Sequence, residues 1–320
     1  MYFLRRICFA LPLLLVISLL SFGILKIAPG GPFDKERKPA SPEIERNLAH
    51  KYHLDEPFWK QYLRYLGVGY ERDAAGQTHW FQGGLVRGDF GPSYKYRDHS
   101  VNDIIRQGFP VSMSLGCVAF CLALGTGVPL GFFTAVNRAK WVGYAGTFLV
   151  VLCVCIPGLV IAPLLIMVFA LKWRLLPVAL WESPAHMILP SVALGLYFSG
   201  RIARLMREGM LGVMNSEFLT AARSKGMSET RLMIKHGLRM AILPVVSYSG
   251  PLLADLLTGS FIVETIFQIP GIGVPMVSSM LNKDYTLAIG LVLLYATLLV
   301  GLNLLVDLVY SLFDRRVRYE

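Results

Sequence analysis

The chain has 320 residues, of which 54% are hydrophobic and only 16% charged, and its mean hydropathy is +0.53. Soluble domains carry about 25% charged residues, so a plain soluble enzyme is excluded, and recurring apolar runs of spanning length mean that the bilayer must be treated as a solvent. The net charge of +10 does not mark a nucleic-acid binder, because the surplus bases fall in short segments beside apolar runs, where they meet anionic lipid and set orientation.

The pattern predicts an all-α polytopic membrane protein. In chain order, segments of about 20 mostly apolar residues fall at 7–27, 111–136, 142–171, 187–203, 241–267 and 285–313, which gives six expected transmembrane helices. The first follows Arg5 and Arg6; its apolar core is longer than that of a cleavable leader and no A-x-A site follows, so a retained anchor is expected. Short loops rich in Lys and Arg stay cytoplasmic. The N-terminus, the second-to-third and fourth-to-fifth connections and the C-terminus together hold fifteen Lys and Arg against five acids, a surplus equal to the whole net charge of +10. Both termini are therefore expected in the cytoplasm.

The organisation that follows is an N-terminal span over 1–27, an external subdomain over 28–108, and a core over 109–320 with a cytoplasmic loop at 206–240. In the external segment, Ser41-Pro42-Glu43 reads as a helix start. Ile44, Leu48 and Tyr52, then Phe58, Tyr62 and Leu66, repeat every four residues, predicting two short amphipathic helices. Residues 67–91 read as glycine-rich loop. Ser100 with Asp103 forms a capping box for another short helix, expected to stop at Gly108 before Pro110. The segment is either a lid over the membrane helices or a docking surface for an external partner.

Cys8, Cys117, Cys121, Cys153 and Cys155 all lie in apolar runs, so neither a disulfide framework nor a zinc site is supported. His50 and His53 lack a third ligand and read as surface residues; no metal site is expected.

The cytoplasmic loop holds the most specific signal. Asn215 and Ser216 can cap a helix that opens on Glu217 and runs through Phe218, Ala221, Ala222 and Arg223 to Lys225, stopping at Gly226. The small alanines suit close packing against protein better than an interfacial lie on lipid. Ser228 is expected to cap a second helix with Glu229 in its first turn and Arg231, Lys235 and Arg239 along one stripe, and Pro244 marks the start of the fifth span.

Among the ionisable groups in or near spans, Lys26 can snorkel outward, and Asp307 reads as structural. Asp255 and Glu264, nine apart, would lie on opposite faces of a continuous helix. Asp255 is the better cavity residue, while Glu264 is expected to order the external helix end. Ser247, Asp255, Thr258 and Ser260 form a permissive polar path, or simply stitch helices together.

These residues resemble a family, the permease subunits of bacterial ABC importers for peptides. Thr220-Ala221-Ala222-Arg223-Ser224-Lys225-Gly226 followed by Leu243-Pro244 is similar to that family's cytoplasmic loop, with Thr220 at the position of its first Glu. The resemblance continues through Ala28-Pro29-Gly30, the stretch from Arg87 to Ser93, Phe109-Pro110-Val111, Ile156-Pro157, His236-Gly237-Leu238-Arg239, Val263-Glu264-Thr265-Ile266-Phe267, Pro270-Gly271-Ile272-Gly273 and Asp284-Tyr285; only residues near 69–82 look inserted. It points to the B-type oligopeptide permease subunit, with a dipeptide, nickel or other small-solute permease as the alternative within the family.

It implies a complex in a bacterial inner membrane: a second homologous permease, two cytoplasmic ATPase subunits and an external peptide-binding protein. Residues Glu217 to Gly226 would couple to an ATPase, and Pro244, Glu264, Pro270, Gly271 and Gly273 would be structural. ATP and Mg would be bound by the partners, because the chain has no G-x-x-x-x-G-K-[ST] phosphate loop. No nucleophile motif speaks for an intramembrane enzyme, and no set of acids paired with bases for a proton-coupled carrier.

Overall fold

The computed structural model describes residues 2–27, 46–47, 50–72, 78–81, 83–96 and 98–313. The first helix of the external segment, expected from Ser41 onward, falls largely outside them.

Helix α1 (Tyr2–Ile27) is apolar all round. Leu11, Leu20 and Ile24 are each more than half exposed, the surface that lipid rather than water requires of a helix. Its inner side lies on the last long helix. Helix α2 (Phe58–Leu66) forms as its four-residue repeat predicts and ends at Gly67, whose φ of 75° is a glycine's at low cost. Its Tyr62 and Tyr65 stack at 5.5 and 5.9 Å around Phe22 of α1, fastening the external segment to the first span. The region read as glycine-rich loop contains a small antiparallel hairpin, β1 (Tyr70–Arg72) with β2 (Thr78–Trp80), in which Tyr70 faces Trp80; three-residue strands are too short to stand out as an alternating pattern.

Helix α3 (Val101–Val136) starts at the expected capping box: Asp103 N–H donates to Ser100 Oγ at 3.1 Å and Ser100 N–H to Asp103 at 3.0 Å. It does not stop at Gly108. The helix carries Pro110 in its interior, so the boundary placed between 108 and 109 falls inside one element. Tertiary packing overrides the proline: a Cβ at Gly108 would stand 2.8 Å from Ile272 and 3.1 Å from the Gly271 backbone, so the first turns are clamped from outside.

The third expected span is a broken element. Helix α4 (Trp141–Cys155) and helix α5 (Gly158–Leu165), which continues as a π-helical turn to Lys172, meet at 100°. Pro157 is the cause, since a residue before proline is pushed out of the α region, and Ile156 sits at φ −81°, ψ 117°.

Helix α6 (Ala185–Met214) contains the expected 187–203 span and continues beyond it. It packs along α3 through backbone contact: a Cβ at Gly131 would lie 2.3 Å from the Ala203 carbonyl oxygen, and one at Gly127 2.7 Å from that of Ser199. Small residues permit such approach where lipid offers no hydrophobic drive. Helix α7 (Glu217–Ser224) and helix α8 (Glu229–Leu232) follow. A π-helical turn at Met233–Gly237 then leads into α9 (Leu238–Ala241). The expected Arg231, Lys235 and Arg239 stripe is thereby lost, because a wider turn shifts the register that an i, i+4 row needs.

The fifth expected span is also divided. Helix α10 (Leu243–Leu257), with Pro244 in its first turn, ends at Thr258; Gly259 turns at φ 85°; and α11 (Phe261–Phe267) starts again with Ser260 as N-cap. The opposite-face argument for Asp255 and Glu264 assumed one continuous helix and fails with it. Helix α12 (Gly273–Leu281) is short, and α13 (Tyr285–Phe313) closes the described fold against α1 and α10.

Three helical segments, Cys8–Ile27, Val101–Val136 and Tyr285–Tyr310, are long and apolar enough to cross a membrane, and bent pairs raise the number to five among the described residues. Arg201, Arg204 and Arg207 make α6 less apolar, and it is not one of them.

Candidate functional site

The loop read as cytoplasmic forms the helix its sequence predicts, one residue shorter at its C-terminus. Ser216 Oγ accepts from Leu219 N–H and Glu217 opens the first turn, where the helix dipole favours an acid. Gly226 follows at φ 81°. Leu219, not singled out by the sequence reading, is fully buried in the main core and anchors the helix. The expected Ala pair is divided by this anchorage: Ala222 packs inward against the core, whereas Ala221 is exposed together with Glu217, Phe218 and Lys225. Arg223 reaches across the Gly226 turn to Glu229, its Nη2 donating at 3.3 Å. That hydrogen bond and the guanidinium charge hold the Glu229 carboxyl below the usual carboxylate range. The result is a short rigid helix, fixed on one side and open on the other.

At the far end of the fold the Val263–Phe267 and Pro270–Gly273 motifs meet α3 at a single junction. Glu264 on α11 is fully buried. It accepts from Ser112 Oγ of α3 at 2.7 Å, and from the first backbone N–H groups of α12, Gly273 at 2.8 Å and Val274 at 3.3 Å. Ser112 Oγ in turn accepts from Ile272 N–H at 2.9 Å. The carboxylate thus sits at a helix N-terminus, where orphan donors and the dipole favour negative charge. Glycine is required at its walls: a Cβ at Gly271 would stand 2.4 Å from Ser112 Oγ, and one at Gly273 2.9 Å from the carboxylate. Pro270 stays exposed at the turn beside them. The expected ordering role of Glu264 therefore has a geometry, and Ser112 is the partner that sequence reasoning missed.

The residues expected along a polar path are not brought together. Thr258 is buried and returns its hydroxyl to the Ala254 carbonyl at 3.0 Å, and Ser260 caps α11. Ser247 is exposed but bonds to Leu243 of its own helix and lines a cavity with Asn303 and Asp307. Asp255 alone of the four presents a charged group on an open face, where it accepts from Tyr295 Oη at 2.8 Å. One spacing of seven along α10 from it, Tyr248 accepts from Arg201 Nη1 at 3.1 Å, so two tyrosine-held charges of opposite sign share that face.

Asp284 ties down the segment before α3. Buried at the head of α13, it accepts from Ser93 Oγ at 2.5 Å and from the Tyr94 and Lys95 N–H groups at 3.1 and 3.3 Å. Burial, and then the adjacent Asp284 charge, push the Tyr94 phenol above its ordinary range. Arg6 and Asp307 form an ion pair between α1 and α13. His50 and His53 face Asp55 and Glu56 at 3.0 and 3.4 Å, and among the described residues no three potential ligands gather for a metal.

Comparison with known proteins matches two family models to this chain. Residues 127–319 match the binding-protein-dependent transport system inner membrane component, and residues 1–116 the N-terminal part of such membrane components. The chain is 40% identical over 317 residues to the oligopeptide transport system permease protein OppB of Haemophilus influenzae, covering 98% of each chain. It is 41% identical over 321 residues to OppB of Escherichia coli strain K12, covering 99% of each. The dipeptide transport system permease protein DppB of Bacillus subtilis is 38% identical over 317 residues, with 99% of this chain and 97% of that protein covered.

Proposed function

The chain belongs to the family of binding-protein-dependent transport system inner membrane components, and on that premise we propose that it is the permease subunit of an ATP-driven importer of oligopeptides, residing in a bacterial inner membrane. It is an integral membrane protein of the ABC transporter permease class. In our reading it spans six times, through α1, α3, the bent α4–α5 pair, α6, α10 with α11, and α13, with both termini in the cytoplasm. It pairs with a second homologous permease to enclose the path. Two cytoplasmic ATPase subunits bind and hydrolyse Mg-ATP, and an external binding protein delivers peptide to the side of the 58–96 segment.

The observation that carries the mechanism is α7. A helix anchored by one buried leucine, with its outer face open and a glycine stop behind it, moves as a rigid body when pushed. A partner ATPase seated on Phe218, Ala221 and Lys225 would therefore pass its nucleotide-driven closure to α6, only two residues away. The charged tyrosine-held face of α10 is the part of the path that this chain contributes, with Asp255 as its acidic group. The glutamate junction around Glu264 keeps α3, α11 and α12 together while this happens.

The substrate follows the relatives named for oligopeptides, and the relative named for dipeptides keeps the smaller substrate as the alternative. Uptake of labelled tri- to pentapeptides, dipeptides and nickel ion by cells with and without the chain separates them. Loss of the longer peptides alone supports the proposal; unchanged oligopeptide uptake with lost dipeptide or nickel uptake refutes it. Co-purification with ATPase subunits tests the assembly.

A further inference from the structure

The external end of the fold holds a half-enclosed cavity of about 290 Å³, near the lower end of the usual size for small-molecule sites. Neither the coupling helix nor the polar face of α10 touches it, and its reading does not rest on the transport proposal. It lies where the last turns of α1, helix α2, the loop before α3 and the start of α13 meet.

Its walls are aromatic, and among the described residues its charge is unbalanced. Phe22, Tyr65, Phe81 and Tyr94 line it, and Lys26, Lys51 and Arg64 reach it against one acid, Asp89, among the described lining residues. Arg64 is fixed in place, donating to Glu56 at 2.9 Å and lying 4.5 Å over the Phe81 ring. Asp89 is occupied too, accepting from Gly91 N–H at 2.9 Å. Glu56 behind the wall is shared among Arg64, Lys60 and His53, so it does not cancel the surplus.

Lys26 on the lining is half-buried and makes no ion pair or hydrogen bond among the described residues, although an ammonium withdrawn from water needs a counter-charge. A lysine that simply snorkels would extend into open water; this one lines an aromatic recess instead. Immediately beside it the lipid-facing flank of α1 is bare and apolar, with Ile24 67% and Ile27 84% exposed.

We propose that this cavity binds a phosphate ester, with the Lys26 ammonium donating to its oxygens, Lys51 at the mouth, and the apolar part of the molecule lying along the aromatic wall and the flank of α1. A phosphodiester offers several acceptor oxygens to donors on separate walls, which matches the arrangement. The same chemistry comes from an outer-leaflet phospholipid headgroup or from a soluble phosphate ester.

The test uses the complete transporter assembly, purified and reconstituted in nanodiscs of phosphatidylglycerol or of phosphatidylcholine, then stripped with detergent and weighed by native mass spectrometry. Glycerol 3-phosphate and inorganic phosphate are the soluble probes, read by thermal shift of the same assembly. The variants are Lys26→Met, Lys26→Arg and Lys51→Met. Retention of about one phospholipid per chain, weakened about tenfold by Lys26→Met, reduced by Lys51→Met and kept by Lys26→Arg, supports a lipid occupant. A stabilising shift by glycerol 3-phosphate that Lys26→Met abolishes, without retained lipid, supports the soluble source. If Lys26→Met and Lys51→Met leave both lipid retention and phosphate-ester shifts at wild-type levels, the site is refuted. Should Lys26→Met fail to assemble, Lys51→Met, which changes an exposed side chain, decides the question by the same readings.

Discussion

Replacing Glu264 should reveal how much of the external end depends on one carboxylate. Glu264→Ala removes the acceptor of Ser112 Oγ–H and of the Gly273 N–H, both in a fully buried setting. Each orphaned buried donor costs about 1–3 kcal/mol, so the expected loss is about 2–6 kcal/mol, with a cavity adding to it. Glu264→Gln keeps the shape and one acceptor. Its amide oxygen can still receive the Gly273 and Val274 N–H groups while its NH₂ turns to Ser112 Oγ, so a loss of only about 1–2 kcal/mol is expected from the mismatch. Ser112→Ala removes one donor to the carboxylate and also strands the Ile272 N–H. Because Ser112 and Glu264 share one network, the double variant Ser112→Ala with Glu264→Ala should cost less than the two single losses together. Thermal unfolding midpoints of the purified chain in one detergent, followed by tryptophan fluorescence, rank the four proteins against wild type. A glutamine variant as damaged as the alanine one, or full additivity in the double variant, would refute the reasoning.

The other expectations concern the cytoplasmic loop and the orientation. At Gly226 the φ of 81° penalises a side chain although a Cβ there meets nothing within 4 Å; Ala should cost about 1 kcal/mol and Val more, while Asn, which tolerates the left-handed region, stays nearer wild type. Peptide uptake at equal membrane levels should therefore fall in the order Gly, Asn, Ala, Val, and a Val variant better than Asn contradicts it. Ala221→Arg should leave the chain as stable as wild type but weaken co-purification with ATPase subunits. Ala222→Arg, by contrast, should destabilise the chain itself because Ala222 packs on the core; equal behaviour of the two variants sinks the proposed docking face. Single cysteines at Val86 and Ser228 in a cysteine-free background should react with an impermeant reagent only from outside and only from inside, respectively, and reversed labelling overturns the orientation.

The long apolar segments and the helix from Glu217 were legible because each rests on local signals: hydrophobic run length, the Ser216 cap and the Gly226 stop. The breaks were not legible from hydropathy. A run such as 142–171 stays apolar straight through Ile156-Pro157, and 241–267 through Gly259, so a window that averages hydropathy joins what a missing N–H or a positive φ divides. Pro110 shows the opposite error. It reads as a stop, yet Gly271 and Ile272, more than 160 residues later in the chain, press on Gly108 and hold the helix through it. Long-range pairing also hid the logic of the site. Glu264 stood out in its motif, but its partner Ser112 is one unremarkable serine in an apolar run, and Asp284 gives no sign that it will meet Ser93. The inward and outward division of Ala221 and Ala222 depends on where Leu219 finds its pocket, which no spacing within the loop records.

Helix α6 has 30 residues, so it is about 45 Å long at 1.5 Å per residue, and only Asn215 and Ser216 separate its end from α7. Near its middle, at Ser199 and Ala203, Gly127 and Gly131 of α3 press backbone on backbone, which stiffens the pair there. Geometrically the pair is a stiff beam with a short crank at one tip. If the beam pivots near its outer end, a tilt of about 5° carries the crank through about 4 Å. The same ratio runs in reverse: a displacement of the crank by one side chain's width becomes an angular change of a few degrees along the whole beam.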